Sequence, residues 1–349
     1  MVGDGFLTEA IVGQGWAFLL FQSTGAKHLT MSTITETTST ESRNRTTNRL
    51  RGEFIAMKLA FKWFGVHRTL SDDQKRRAAE SFGAETKYLS AGKKLIDTSH
   101  PLFRTVNQVR GRACQYWKGR SLPYPDAGIR LVRNQDVDDI NRHMLEFQIE
   151  LQEAVYALNR EFEQLKSSAR LRLGSLYHEA DYPDELMSLF DLSWEFIAVE
   201  PPNYLRQLSP EVYNQECERV QRRFEEAVEL AEQAFTDELA KLVTHLAERL
   251  SGVDDGKPKI FRDSAVENMS EFFSRFRSLN IHSNKQLDDL VERATGIIQG
   301  VVPHDLRTNA PLRQQIATQL SGIQSVLDGM MVDRPRRRLL RNAEGPNRE

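Results

Sequence analysis

The sequence predicts a mainly α protein: a long, straight antiparallel helical hairpin, with a small α+β N-terminal subdomain before it and a C-terminal helical segment after it. Three observations carry that expectation. Apolar residues recur at about the helical period over 140–169, and again over 213–250. Between 57 and 63 they alternate with period two instead.

The chain has 349 residues, 40% hydrophobic and 28% charged, with a formal net charge of -2. That composition is globular and allows a sizeable core. The Ser/Thr-rich stretch 31–50 offers too few apolar groups to offset ordering entropy, so 1–50 reads as disordered or as an extension, with Met31 as a candidate start. In 51–135, Met57, Leu59, Phe61 and Trp63 alternate with Lys58, Ala60 and Lys62, which predicts a half-buried strand. Ile129–Arg133 is a second short strand able to pair with it. Ser71 before Asp72 and Asp73 marks a helix start, and two short helices are expected over 71–97 and 101–119.

From 136 the pattern becomes helical. Ile140, Met144, Phe147, Leu151, Val155, Leu158, Phe162, Leu165 and Ala169 advance by about 3.6 residues per step, the period of a straight helix. A second long helix begins at the Ser209-Pro210 cap pair and carries Tyr213, Cys217, Val220, Phe224 and their successors to Leu250. Two long single-striped helices joined by a connection predict an antiparallel pair over 136–251. Its tip, 181–208, is expected to hold a short helix with Phe190, Trp194 and Phe196. Three more helices are expected within 252–332, at 262–279, 283–299 and 310–331. The tail 333–349, with Arg336-Arg-Arg-Leu-Leu-Arg, reads as disordered and basic.

Charge is distributed unevenly. Residues 58–135 hold 16 Lys/Arg against 6 Asp/Glu, whereas 136–251 hold 11 against 25. Mutual neutralisation is one reading. Nucleic-acid binding by the basic region is the other, with Arg104, Arg110, Arg112, Lys118 and Arg120 facing phosphates and Trp117 stacking on bases. Cys114 and Cys217 are too few and too far apart for a disulfide framework, and read as reduced, buried thiols of a cytoplasmic protein. No apolar run approaches the ~18 residues of a membrane span. Phosphate-binding glycine loops, zinc-ligand spacings and nucleophile elbows are absent from the sequence, so no cofactor, metal or catalytic residue is expected.

Several segments resemble an uncharacterised bacterial and phage family labelled domain of unknown function 3150. They are Trp63-Phe-Gly before Arg68-Thr-Leu-Ser, Ser121-Leu-Pro-Tyr with Gly128-Ile-Arg-Leu-Val, and Arg172-Leu-Gly with Asp181-Tyr-Pro. Phe261-Arg-Asp-Ser-Ala-Val-Glu-Asn and Leu306-Arg with Leu312-Arg continue the likeness, which spans about 52–331. The resemblance implies a helical protein of unknown activity whose genes often lie near those of MoxR-like AAA+ ATPases, which suggests an adaptor or partner of such an ATPase. Together these readings predict a non-enzymatic interaction or scaffold protein, able to self-associate, that contacts a protein partner through Phe190, Trp194 and Phe196.

Overall fold

A four-stranded antiparallel sheet organises the molecule, and the alternation in its first strand explains why. In the computed structural model, which describes residues 45–251, 253–254, 257–258 and 263–332, β1 (Phe54–Lys62) pairs on one side with β5 (Ile129–Arg133) and on the other with β6 (Asp191–Ile197). The short β4 (Ser121–Pro123) completes the order β4-β5-β1-β6. Successive side chains in a strand point to opposite faces. Thus Met57 and Leu59 enter one core, with Ile55 and Phe61 against it, while Phe54 and Ala56 enter another.

The first core lies under α3 (Pro101–Gly119), α4 (Val137–Arg160) and α5 (Phe162–Leu173). The second lies under α7 (Pro210–Ser251), α8 (Ser264–Leu279), α9 (Lys285–Ile298), α10 (Pro303–Thr308) and α11 (Ala310–Val332). The mainly α class with a small α+β subdomain therefore holds, as do the expected pairing of 129–133 with the first strand and the three C-terminal helices. The expected Ser71 start is a capping box: the Ser71 hydroxyl accepts from the Gln74 N–H, and the Gln74 side chain accepts from the Ser71 N–H, ahead of α2 (Asp72–Ser81).

The hairpin does not form. α7 pairs with α11, whereas α4 packs on α3 and on β6. Each stripe is buried as its period requires, but in a different core. Leu151, Val155 and Leu158 join the first, and Phe224, Val228 and Leu239 the second. Period fixes which face of a helix is buried and is silent about what covers it. The intervening segment decides the matter. Instead of a helical tip it supplies β6, whose Leu192, Trp194 and Phe196 face the first core while Asp191, Ser193 and Glu195 are exposed. That strand brings the chain back beside β1 and separates the two long helices by a sheet.

Smaller departures follow the same logic. Residues 45–53, partly covered by the disorder expectation, form α1, and Leu50 is fully buried against the second core. Only 72–81 of the expected 71–97 helix forms. The rest includes β3 (Gly92–Lys94), paired with β2 (His67–Thr69) and followed by the buried Leu95 and Ile96. A one-residue turn at Glu161 divides the first long helix into α4 and α5. α6 (Asn203–Leu208) precedes α7, and two-residue strands β7 (Val253–Asp254) and β8 (Lys257–Pro258) follow it. The readings on 1–44 and on the tail 333–349 lie outside the described residues.

Candidate functional site

α4 is amphipathic on the side that packs and apolar again on the side that does not. Its inward stripe, Ile140, Met144, Leu151, Val155 and Leu158, is fully buried. On the opposite side Leu145, Ile149 and Tyr156 remain 45%, 57% and 60% exposed. Steps of four and seven residues put these three within a narrow arc of the helix surface. With Gln152 they form a seam of alternating four- and three-residue steps, the spacing by which helices meet in coiled coils. Asp138, Arg142, Glu146, Glu153 and Arg160 are the exposed charges along that arc.

The seam is held on a rigid base. Gln148 donates to the Leu192 carbonyl (2.9 Å), and the Trp194 indole N–H donates to Asn141 Oδ1 (3.0 Å), so the first half of α4 is fixed to β6. Arg112 pairs with Glu150, and the Tyr116 hydroxyl donates to Asp139 (3.2 Å), joining α4 to α3. Burial and the neighbouring Asp139 carboxylate push the Tyr116 phenol up to about 12, so this donor keeps its proton. Apolar exposure on a helix fixed at both edges cannot be relieved by repacking.

The three residues predicted as a contact tip have other work. Phe190 is buried, its ring edge-on to Trp63 at 4.9 Å. Trp194 is half-buried and bonded to Asn141, and Phe196 packs against the first core. The separate arm that would have carried them to a partner does not exist, because 191–197 is a sheet strand.

The six basic-region residues are divided. Arg104 and Lys118 are exposed on α3, a helix without Asp or Glu, and Arg120 lies just past its end with its guanidinium over Tyr116 at 5.8 Å. Arg110 is spent on aromatic faces, 5.2 Å from Phe61 and 4.9 Å from Trp63, and Arg112 on Glu150. Trp117 is buried, with Arg130 over its ring, and presents no face for a base. Lys58–Glu195 and Lys93–Asp181 join Arg112–Glu150 as pairs between the basic and acidic segments. Part of the charge asymmetry is thus answered within the fold.

Two concavities accompany these surfaces. One of about 380 Å³ lies between 94–100 and α5, where Asp97 pairs with Arg172 (2.8 Å) and accepts from Ser99. The second, of about 520 Å³, opens between the β4 edge of the sheet and helices α7 and α8. Among the described residues no group of three or more His, Cys, Asp or Glu could hold a metal ion, and no helix is long and apolar enough to cross a membrane. Cys114 and Cys217 are free and half-buried, more exposed than expected.

No family model matches the chain, and neither a curated protein nor a solved structure matches it. The exposed seam was missed in the sequence because attention to the buried stripe discards every apolar residue off it. The signal existed: Leu145, Ile149 and Tyr156 keep their own helical spacing.

Proposed function

We propose that this chain is a non-enzymatic scaffold that works by protein contact, with the outer face of α4 as its docking surface and a second copy of the chain as the occupant. The exposed seam of Leu145, Ile149 and Tyr156 carries the reading, since rigid apolar exposure of this kind marks interaction sites.

Charge argues for a second copy. When two α4 helices run antiparallel about a two-fold axis at Ile149, Asp138 opposes Arg160 of the second copy and Arg142 opposes its Tyr156. Leu145 then covers the stem of Glu153, and Glu146 opposes Gln152. No two like charges meet along the seam, which is the self-complementarity a two-fold interface demands. A cation over a tyrosine ring and an end-to-end ion pair set register more than they add affinity. The affinity comes from apolar burial, roughly 25 cal/mol per Å² before the costs of association.

Sedimentation equilibrium tests this reading. The wild-type chain should dimerise with increasing concentration, and Leu145→Glu/Ile149→Glu should remain monomeric with an unchanged circular dichroism spectrum. A wild-type chain that is monomeric at every accessible concentration would exclude it. The AAA+ ATPase implied by the family resemblance would be a further partner of such a scaffold.

A second reading, nucleic-acid binding, draws on α3. Arg104, Gln108, Gln115 and Lys118 share its exposed side, free of carboxylates on that helix. It expects a salt-dependent mobility shift that Arg104→Ala/Lys118→Ala weakens, and absence of a shift at low salt removes it.

A further inference from the structure

The 520 Å³ cleft beside β4 contains a half-buried cation without a carboxylate partner. Arg130, on β5, points into it. Its Nε donates to Ser121 Oγ and one Nη2 hydrogen to the Ser121 carbonyl, both at 2.7 Å. The guanidinium lies over the Trp117 ring, 5.8 Å from its centroid. Among the described residues no carboxylate pairs with it and its Nη1 has no protein acceptor. The Arg275 guanidinium from α8, a like charge, acts on it across the cleft. Burial first, and Arg275 second, push Arg130 down to about 10. Even partial desolvation of a charge without a counter-ion is unfavourable, and proteins ordinarily pair such a group.

The remaining lining is suited to an anion with an apolar body. Lys118 extends the positive edge from the end of α3. Arg275 is paired with Glu238 and stacked on Phe272 at 5.8 Å, which fixes its plane. Glu271 is the other carboxylate of the lining and is exposed. Leu122, Phe235 and Leu279, each buried, supply apolar lining to the same cleft. Ser121 and Trp117 hold the Arg130 fork in one orientation, and a planar fork of fixed orientation recognises carboxylate and phosphate oxygens through two parallel bonds.

We propose that this cleft binds a small organic anion, its carboxylate or phosphate head on Arg130 with Lys118 and Arg275 flanking, and its apolar body against Leu122 and Phe235. The site is formed by residues from both layers of the fold, so occupancy clamps the α3 side of the sheet to α7 and α8. It is independent of the α4 seam.

Calorimetric titration of the full chain with phenyl phosphate, benzoate and inorganic phosphate tests this, with thermal melting in parallel. Saturable binding of phenyl phosphate or benzoate is expected, tighter than that of inorganic phosphate, with a raised melting temperature. The better of the two aromatic probes identifies the head group. Lys118→Met and Arg275→Met should each weaken binding about tenfold, which is about 1.4 kcal/mol, and Glu271→Gln should tighten it. Arg130→Met should abolish binding. Because that variant alters a half-buried site, Lys118→Met is the decisive one, its side chain being exposed. The proposal is overturned if neither aromatic anion binds saturably, or if Lys118→Met binds as the wild type does. Equal affinity for inorganic phosphate would remove the apolar body from it.

Discussion

Ala56 and Met57 are neighbours in β1 and both are fully buried, yet they belong to different cores. One peptide bond thus joins a layer built by α3, α4 and α5 to a layer built by α7, α8, α9 and α11. This follows from the pleat alone, and it makes the strand the common member of both cores.

Met57→Ala should therefore destabilise the whole molecule, by about 2–5 kcal/mol for a large buried side chain cut to a methyl. Calorimetry should show one transition shifted downward. Two transitions, with one unmoved, would mean the cores unfold independently.

Trp194→Phe removes the donor to Asn141 and keeps most of the ring. A loss of about 0.5–1.5 kcal/mol is expected from one hydrogen bond, with dimerisation unaltered. Loss of dimerisation at full stability would instead return Trp194 to the role of a contact residue.

Asp97 accepts from Ser99 and pairs with Arg172, which together hold its carboxyl far below the usual carboxylate range. A depressed acid stabilises the fold above its unfolded value, 3.8, and that contribution is lost as pH falls through the folded value. Asp97→Asn should thus be less stable than wild type at pH 7, and the difference should shrink as pH drops below about 4. Urea titrations at several pH values would measure it, and a difference that grows in acid would be the wrong sign.

Ser71→Ala breaks the capping box of α2 and should cost about 1 kcal/mol, seen as a lowered urea midpoint with the slope unchanged. An unaltered midpoint would mean that the first turn of α2 is held by other contacts.

Much of the fold was legible. Alternation at Met57, Leu59, Phe61 and Trp63 announced β1, the Ser209-Pro210 pair announced the start of α7, and Phe272, Phe273 and Phe276 announced a buried α8. β6 was legible too, in Leu192, Trp194 and Phe196 alternating with Ser193 and Glu195, but a short apolar run also admits a helix. Which helix covers which was beyond periodicity, because α7 meets α11 across the intervening α8, α9 and α10. The cleft was invisible for a similar reason. Arg130 and Arg275 sit far apart in the chain, and nothing local in either segment announces their approach.

Disulfide trapping tests the α4 pairing most directly. Single cysteines are introduced in a Cys114→Ser/Cys217→Ser background. Bridging requires Cα atoms within about 7 Å, so an antiparallel pair with its axis at Ile149 should cross-link Ile149→Cys to itself in high yield. Asp138→Cys alone should not cross-link, but should do so when mixed with Arg160→Cys. Chains that stay monomeric in every case, or an Asp138→Cys that cross-links to itself as readily as Ile149→Cys, would contradict the pairing.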